Sequence, residues 1–213
     1  MKPLRIGIFG GTFDPVHWGH LQLAHQAIKE IGLSQLLFVP AAAPPHKNVV
    51  IASMDHREAM LELICRDSAK LVCSNIESKL PKPSYTVDTL TVLKKSLPLN
   101  SDLFFIIGAD AFLDLMTWKS YRSILTMVQI VVSPRVGYSE QLLYDFLLQI
   151  GYFQKDGQWQ AEGENKDITI LSKSPHGVCS SDFRKGVVKG GDMTTFLPPE
   201  VAKYIQENSL YNL

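Results

Sequence analysis

Between a strand-like and a helix-like segment, the chain reads Gly10-Gly11-Thr12-Phe13-Asp14-Pro15-Val16-His17-Trp18-Gly19-His20. The preceding residues 5–9 are apolar over the length of a strand, and Leu21, Ala24 and Ile28 follow at helical spacing. A strand, a glycine-rich turn and a helix therefore follow one another. This order places the turn at the carboxyl end of a first strand, where open α/β sheets hold their ligands.

The residues of this turn favour phosphate binding. Gly10 and Gly11 allow the backbone to approach a phosphate closely, and the start of the following helix presents N–H groups and the positive end of its dipole. His17 and His20 are three residues apart at that helix start, so both can reach one phosphoryl group from the same face. There are two alternatives: a zinc site with His25 as third ligand, or histidines that only cap the helix or pack against it.

Composition is typical of a globular α/β protein. The 213 residues are 46% hydrophobic, which predicts a single cored domain over residues 1–213. Lys plus Arg and Asp plus Glu number 21 each, so no overall field attracts nucleic acid or an anionic membrane. Three cysteines without C-x-x-C spacing argue for a reducing compartment and against zinc, and no signal-peptide core or apolar stretch of transmembrane length is present. We expect a cytoplasmic protein that binds neither nucleic acid nor membranes.

Strand-like and helix-like segments alternate along most of the chain, which predicts a parallel sheet with covering helices. The further strands are expected at residues 36–39, 71–73, 103–107, 128–132 and 168–171, and helices at 54–66, 88–97 and 141–150. Residues 136–167 are interpreted as a peripheral insertion, and the part near 180–213 as helical, with Pro198 and Pro199 opening a terminal helix. The predicted fold class is therefore α/β: a Rossmann-like parallel sheet of five to six strands with helices on both faces and a small C-terminal helical element.

Further polar groups follow the second and fourth expected strands, at the edge of the sheet where the glycine-rich turn is also expected. The loop after the second strand ends in His46 and Lys47, two potential phosphate ligands, although it could equally be an ordinary proline-rich surface loop. The fourth strand is followed by Gly108, which allows close approach, and Asp110, whose carboxylate suits sugar hydroxyls or a nucleobase. Alternatively, Asp110 caps the following helix.

A second candidate phosphate site follows the last expected strand, in Val178-Cys179-Ser180-Ser181-Asp182-Phe183-Arg184. The hydroxyls of Ser180 and Ser181 precede the guanidinium of Arg184 by about one helical turn. Hydroxyls and a guanidinium at a helix start form a cradle for phosphate oxygens.

These two segments together resemble a known superfamily. Neither the dinucleotide fingerprint G-x-G-x-x-G nor the Walker A sequence is present. Instead, T-F-D-P-V-H-W-G-H resembles the motif of the H-x-G-H nucleotidyltransferases, and V-C-S-S-D-F-R resembles their I-S-S-T-x-I-R motif, with Cys179 in place of a serine and Ser181 in place of a threonine. Members join a nucleoside triphosphate to a phosphate-bearing acceptor and release pyrophosphate.

Within that superfamily, the chain resembles bacterial nicotinate-mononucleotide adenylyltransferases. The discriminating stretches are S-Y-T-V-D-T at residues 84–89, I-G-A-D at residues 107–110 and the Trp118 that follows, supported by P-P-H-K at residues 44–47. The resemblance implies that the substrates are ATP and nicotinate mononucleotide, and that the products are deamido-NAD and pyrophosphate. It also implies Mg²⁺ bound mainly through ATP phosphates, with no metal held directly by the protein.

The resemblance further implies roles for individual residues. His17 and His20 are placed at the α-phosphate as catalytic residues. The residues implied to bind ATP are Gly10, Gly11, Thr12, Phe13, Gly108, Asp110, Ser180, Ser181 and Arg184, and those implied to bind the acceptor are Lys47, Tyr85, Thr86 and Trp118. The resemblance also implies that backbone N–H groups near Tyr85 and Thr86 receive the nicotinate carboxylate. Trp118 stacks on the pyridinium ring, or alternatively packs in the core beneath the next helix.

Two other functions stay open at this point. One is an adenylyl- or cytidylyltransferase of the same fold with another acceptor, such as phosphopantetheine or nicotinamide mononucleotide. The other is a nucleotide-binding protein without catalysis, which would have no need for the paired histidines. Binding of nucleic acid would require a basic surplus that the composition lacks.

Overall fold

One mostly parallel sheet forms the centre of the molecule. The computed structural model describes residues 2–42, 51–135, 139–172 and 193–212. Its strands are β1 (Leu4–Gly11), β2 (Gln35–Pro40), β3 (Leu71–Cys73), β4 (Ser101–Gly108), β5 (Gln129–Ser133), β6 (Tyr152–Lys155), β7 (Gln158–Ala161) and β8 (Ile168–Ile170).

Helices of 5 to 14 residues connect and cover these strands. They are α1 (Trp18–Ile31), α2 (Met54–Cys65), α3 (Thr86–Ser96), α4 (Ala109–Leu113), α5 (Tyr121–Met127), α6 (Glu140–Gln149) and α7 (Pro199–Glu207), with 3₁₀ turns at Ile76–Lys79, Leu115–Thr117, Met193–Thr195 and Leu210–Asn212. Within the described ranges, none of the helices has the length and hydropathy needed to cross a membrane.

The sheet has eight strands in the order β3-β2-β1-β4-β5-β8-β7-β6. The first six in this order pair in parallel, and β6 and β7 form an antiparallel hairpin that joins the sheet at β8. The prediction of five to six strands is therefore wrong, because the segment interpreted as an insertion adds two strands. Asp156 and Gly157 both have positive φ between the paired Lys155 and Gln158, as in a two-residue hairpin turn.

The central strands are apolar throughout because both of their faces are buried. On β4, Phe104 and Ile106 lie in one core, and Leu103, Phe105 and Ile107 lie in the other. The first core contains the apolar faces of α1, α2 and α7, and the second contains those of α3, α5 and α6. Alternate side chains of a buried parallel strand thus enter two separate cores, as the continuous apolar run at residues 103–107 indicated.

Most expected elements lie within about two residues of those observed, a normal uncertainty for element ends. The expected helix at 54–66 is α2, the one at 88–97 is α3, and the one at 141–150 is α6. The short helices α4 and α5 were not predicted. Of the C-terminal part expected to be helical, the structure describes residues 193–212, where α7 begins at Pro199.

The thiols of Cys65, at the end of α2, and Cys73, on the neighbouring β3, are free and half-buried. Burial raises the pKa of each to about 12, and the nearby Cys65 thiol adds to the effect on Cys73.

Since only the thiolate is nucleophilic, we expect both thiols to resist alkylation by iodoacetamide at pH 8. Peptide mass spectrometry should show their alkylation slowed by about 100-fold or more relative to the urea-unfolded chain. Equal rates in the two states would contradict the burial of these thiols.

Candidate active site

Four adjacent strands end at one edge of the sheet, and the predicted groups follow these ends. Gly11, at the end of β1, pairs with Pro40 of β2, and Gly108, at the end of β4, pairs with Ser133 of β5. This edge is the carboxyl edge, where open α/β sheets bind ligands.

The glycine-rich turn is shaped by the ring of Phe13. Phe13 is buried, has a φ of +50°, and lies so close to Gly11 that a Cβ on Gly11 would be 2.8 Å from the ring. Only glycine therefore fits at position 11. Because the Phe13 side chain is directed into the core, only its backbone can meet a ligand at this edge.

The two histidines lie together at the start of α1. Their rings stack with centroids 3.7 Å apart and planes inclined by 23°. The backbone N–H of His17 donates to Nδ1 of His20 over 3.2 Å. Since Nδ1 accepts this bond, the proton of a neutral His20 ring is on Nε2, which is then a donor. His20 therefore does cap the helix through Nδ1, as one of the alternatives proposed. This role does not conflict with a catalytic one, because Nε2–H of the same ring is a potential donor to phosphate.

Aromatic packing fixes the orientation of the His20 ring. Phe13 and Phe9 approach it edge to face, at centroid distances of 4.9 and 5.9 Å. His17 is only 5% exposed, so the pair has little freedom to rotate. His25 is exposed further along α1, and the described ranges contain no group of three metal-ligating side chains. The alternative of a zinc site therefore has no support in this part of the chain.

Asp14 of the same turn has a structural role. Its buried carboxylate accepts hydrogen bonds from the backbone N–H groups of Ile51 (2.9 Å) and Ala52 (3.0 Å) and from the hydroxyl of Tyr211 (2.7 Å). The turn is thereby connected to the approach to α2 and to the C-terminal 3₁₀ turn. Sequence reasoning did not assign this role, because the donors are remote in the chain.

Arg57 holds the glycine-rich turn through hydrogen bonds to backbone carbonyls. It is 2% exposed, and its Nη1 donates to the carbonyl oxygens of Thr12 and Ala41, each over 2.8 Å. Its Nε donates to the carbonyl of Ala52 over 3.3 Å. Burial lowers the pKa of Arg57 from its usual value, and the nearby Asp14 carboxylate opposes this shift. One guanidinium thus joins the segments that follow β1 and β2. Sequence analysis missed this residue, which has no motif around it.

A cavity of about 250 Å³ opens beside the turn. Its wall joins Gly10, Gly11 and Thr12 to Tyr85, Thr86 and Trp118, and also includes Glu77 and Lys119. The structure therefore brings Tyr85, Thr86 and Trp118, three of the four predicted acceptor-binding residues, next to part of the predicted ATP-binding turn.

Trp118 contacts both the cavity and the core. It is half-buried, and its ring meets Phe105 at 6.2 Å with an interplanar angle of 70°. One side therefore packs on the core, while the residue also lines the cavity. The two interpretations of Trp118, as a stacking surface and as a core aromatic, each describe part of its environment.

Two charged residues at the cavity escaped sequence reasoning. Nζ of Lys119 lies 4.6 Å from the centre of the Tyr85 ring and 2.9 Å from a carboxylate oxygen of Asp88. Glu77 accepts hydrogen bonds from the backbone N–H of Ala42 and from the hydroxyls of Ser84 and Thr89. A signal was available for Lys119, which directly follows Trp118 in the chain.

Gly108 and Asp110 lie at the end of β4. Gly108 occupies the N-cap position of α4, so the alternative in which Asp110 caps that helix is wrong. A Cβ on Gly108 would be 2.6 Å from a carboxylate oxygen of Asp110, which folds back over the glycine. Asp110 forms an ion pair with Arg135, which follows β5. Sequence analysis missed Arg135, although a cation three residues after the end of a predicted parallel strand was a usable signal.

Five candidate site residues lie outside the described residues: His46, Lys47, Ser180, Ser181 and Arg184. Their assignments stay predictions from the sequence.

Comparison with known proteins identifies the family. Residues 8–186 match the family model described as cytidylyltransferase-like. The chain is 42% identical to the probable nicotinate-nucleotide adenylyltransferase of Desulfotalea psychrophila over 212 residues, which cover 97% of this chain and 99% of that relative. The chain belongs to the nicotinate-nucleotide adenylyltransferase family. The resemblance inferred from the sequence motifs is thus confirmed.

Another nicotinate-nucleotide adenylyltransferase family member is similar over its full length. The probable enzyme of Carboxydothermus hydrogenoformans is 36% identical over 211 residues, covering 99% of this chain and 100% of the relative. Among solved structures, the nicotinic acid mononucleotide adenylyltransferase of Plasmodium falciparum, complexed with NaAD, aligns with a TM-score of 0.75 at 20% identity, covering 98% of each chain. At this identity, the similarity shows the shared fold.

For this nicotinate-nucleotide adenylyltransferase family member, Asp14→Asn tests the structural role of the motif acid. If Oδ1 of the asparagine still accepts the hydrogen bonds from Ala52 and Tyr211, its NH₂ group faces the N–H of Ile51. Two donors then meet and neither has an acceptor. We expect a loss of about 1–3 kcal/mol in the free energy of unfolding, measured by urea titration.

Asp67→Asn is the matched control, because Asp67 is exposed, and it should change stability by less than about 0.5 kcal/mol. Equal stability of the Asp14 variant and the wild type would contradict the structural role.

Proposed function

We propose that this protein transfers the AMP group of ATP to nicotinate mononucleotide, forming nicotinate adenine dinucleotide and pyrophosphate in NAD biosynthesis. The observation that carries the proposal is the cavity that joins the glycine-rich turn to Tyr85, Thr86 and Trp118. Relatives named for this reaction align with nearly the whole chain. The Plasmodium falciparum neighbours of the same fold are complexed with NaAD and with APC.

The chemistry requires two anions to meet. A phosphate oxygen of the acceptor attacks the α-phosphorus of ATP in line, and the bond from this phosphorus to the leaving pyrophosphate breaks. Because no covalent enzyme intermediate is needed, the protein contributes alignment and neutralisation of charge. We propose that Nε2–H of His20 donates to an α-phosphate oxygen and that this hydrogen bond strengthens as charge grows in the transition state. The imidazole of His17 stacks against the His20 ring.

The ATP site is proposed to extend along the carboxyl edge of the sheet. The backbone of residues 10–13 would lie against the phosphates, and Gly108 with Asp110 would hold the adenosine half. The ion pair between Asp110 and Arg135 supports this arrangement, because it orients the carboxylate. Ser180, Ser181 and Arg184 are proposed to bind the β- and γ-phosphates.

Magnesium is proposed to bind through the triphosphate. Carboxylates near the turn already have protein partners: Asp14 and Glu77 accept protein hydrogen bonds, and Asp110 pairs with Arg135. No described residues form a cluster suited to a metal ion. A bound Mg²⁺ would offset phosphate charge and would be held mainly by phosphate oxygens and water.

The acceptor is proposed to occupy the cavity. Tyr85 and Thr86 form the start of α3, whose N–H groups and dipole favour a carboxylate. The half-buried ring of Trp118 offers a stacking surface for the positively charged pyridinium, worth about 0.5–2 kcal/mol. Lys47 is proposed to serve phosphates on the acceptor side.

Replacement of His20 tests the catalytic assignment. His20→Ala should lower kcat by about 10²–10³, as for the loss of an oxyanion-type donor, while the KM for ATP changes far less. His20→Asn is more selective, since its Oδ1 can replace Nδ1 as the acceptor for His17 while the Nε2 donor is lost. It should lose kcat as His20→Ala does but retain more stability. Pyrophosphate release in steady state measures the rates.

His25→Ala is the matched control, because this histidine is exposed on the same helix, and it should turn over normally. Near-normal kcat in both His20 variants would overturn the catalytic role and leave only the cap.

Acceptor choice tests the nicotinate assignment. Backbone N–H groups aimed at a carboxylate would meet the NH₂ of the amide analogue, and each mispaired buried group costs about 1–3 kcal/mol. Nicotinate mononucleotide should therefore exceed nicotinamide mononucleotide by about 10- to 100-fold in kcat/KM. Trp118→Ala should weaken both acceptors equally, and Trp118→Phe should restore part of the loss, since stacking senses the ring and not its substituent.

Phosphopantetheine should be inactive in the same pyrophosphate-release assay. Equal kcat/KM values for the two pyridine acceptors would refute the nicotinate assignment. Unchanged acceptor kinetics in Trp118→Ala would show that Trp118 only packs in the core and does not bind the acceptor.

A further inference from the structure

A buried carboxylate lies in the wall of the acceptor cavity without a role in the reaction described above. Glu77 belongs to the 3₁₀ turn Ile76–Lys79 that follows β3, and it is only 8% exposed. It also lines the cavity. A buried acid is costly unless its oxygens are hydrogen-bonded, so its partners show what it does.

Both oxygens of Glu77 are used by neutral protein donors. Oε2 accepts from the Ser84 hydroxyl over 2.6 Å and from the backbone N–H of Ala42 over 3.1 Å. Oε1 accepts from the Thr89 hydroxyl over 2.8 Å. With its oxygens occupied in this way, the carboxylate is suited to holding segments together rather than to moving a proton.

The three donors come from two separate segments of the chain, and residues of each segment form a wall of the cavity. Ser84 immediately precedes Tyr85, and Thr89 lies one turn into α3, with its hydroxyl 3.3 Å from the carbonyl of Tyr85. Ala42 lies on the segment that leaves β2 beside the glycine-rich turn, where Ala41 donates its N–H to the carbonyl of Gly11. Glu77 therefore connects the start of α3 with the segment that leaves β2.

We propose that Glu77 is a positioning residue for the acceptor: by joining Ala42 to Ser84 and Thr89, it sets the distance between the two walls and the orientation of the α3 N-terminus. The identity of the acceptor rests on the proposed function, whereas the coupling of the walls does not. A misplacement of about 1 Å at a binding wall can cost about 100-fold in rate, so this carboxylate affects acceptor use without touching the reacting atoms.

Two replacements separate hydrogen bonding from charge. Glu77→Leu fills similar space but leaves the three donors without an acceptor. Glu77→Gln can still accept from Ala42 and Ser84 through its carbonyl oxygen, while its NH₂ donates to the Thr89 hydroxyl. We expect Glu77→Leu to raise the KM for nicotinate mononucleotide by about tenfold or more, with the KM for ATP within about twofold, and Glu77→Gln to recover most of the loss.

Hydrogen exchange provides a readout that needs no substrate. In ligand-free Glu77→Leu, amides of residues 84–89 and of residues 41–42 should exchange faster together. Ser84→Ala and Thr89→Val each remove one donor, so they should produce smaller changes of the same kind if Glu77→Leu fails to fold. The exposed Glu62 on α2 supplies the matched control Glu62→Leu, which should change neither the KM values nor these amides.

The outcomes separate this proposal from the proposed function. If the wild-type protein releases no pyrophosphate with nicotinate mononucleotide, the proposed function is refuted. The hydrogen-exchange pattern would still test the role of Glu77. The positioning role is overturned if Glu77→Leu, or the two single-donor variants in its place, leave both exchange and acceptor KM unchanged. It is also overturned if the KM values for ATP and acceptor rise equally, or if Glu77→Gln is as impaired as Glu77→Leu, since the charge would then matter rather than the hydrogen bonds.

Discussion

The geometry of the site depends on one buried guanidinium. Arg57 donates to the carbonyls of Thr12, Ala41 and Ala52, so it joins the segments after β1 and β2 to the approach to α2. Loops at the carboxyl edge of a parallel sheet are otherwise independent of one another, and their carbonyl groups must be satisfied where they are buried. A single side chain with five fixed donors can meet several carbonyls at once. The glycine-rich turn is therefore held by a residue that is itself 2% exposed.

Buried acids complete this framework, and their use in it suits a site for anions. Asp14 accepts from three donors of the protein, and so does Glu77. Their charges are spread over hydrogen bonds within the protein, which would reduce their repulsion of a bound triphosphate. Among the described residues, backbone groups of residues 10–12 and the aromatic rings of Tyr85 and Trp118 line the cavity beside the turn. His20 shows how the turn uses a neutral ring, because its Nδ1 accepts the backbone N–H of His17 at the start of α1.

The sequence predicted much of the fold, and its failures have identifiable causes. The paired glycines, the apolar run at residues 103–107 and the helical spacing after the turn were strong local signals. The hairpin of β6 and β7 was missed although Asp156-Gly157 is a favoured hairpin turn, because the flanking residues are polar. The helices α4 and α5, of 5 and 7 residues, are too short to show a periodicity. The role of Asp110 as a cap was wrong because the N-cap is Gly108, two residues earlier.

The sequence by itself determined the alternation of the main strands and helices and the family, and it predicted phosphate binding at the first turn, since these depend on short-range spacing and backbone chemistry. Only the tertiary structure decided which distant residues support that turn. Tyr211 reaches Asp14 across 197 positions, and Glu77 reaches Ala42 across 35. No periodicity records such pairs, because a buried carboxylate requires donors but not donors at any particular distance along the chain. Parallel pairing of the strands brings these residues to one edge, and packing then selects the partners.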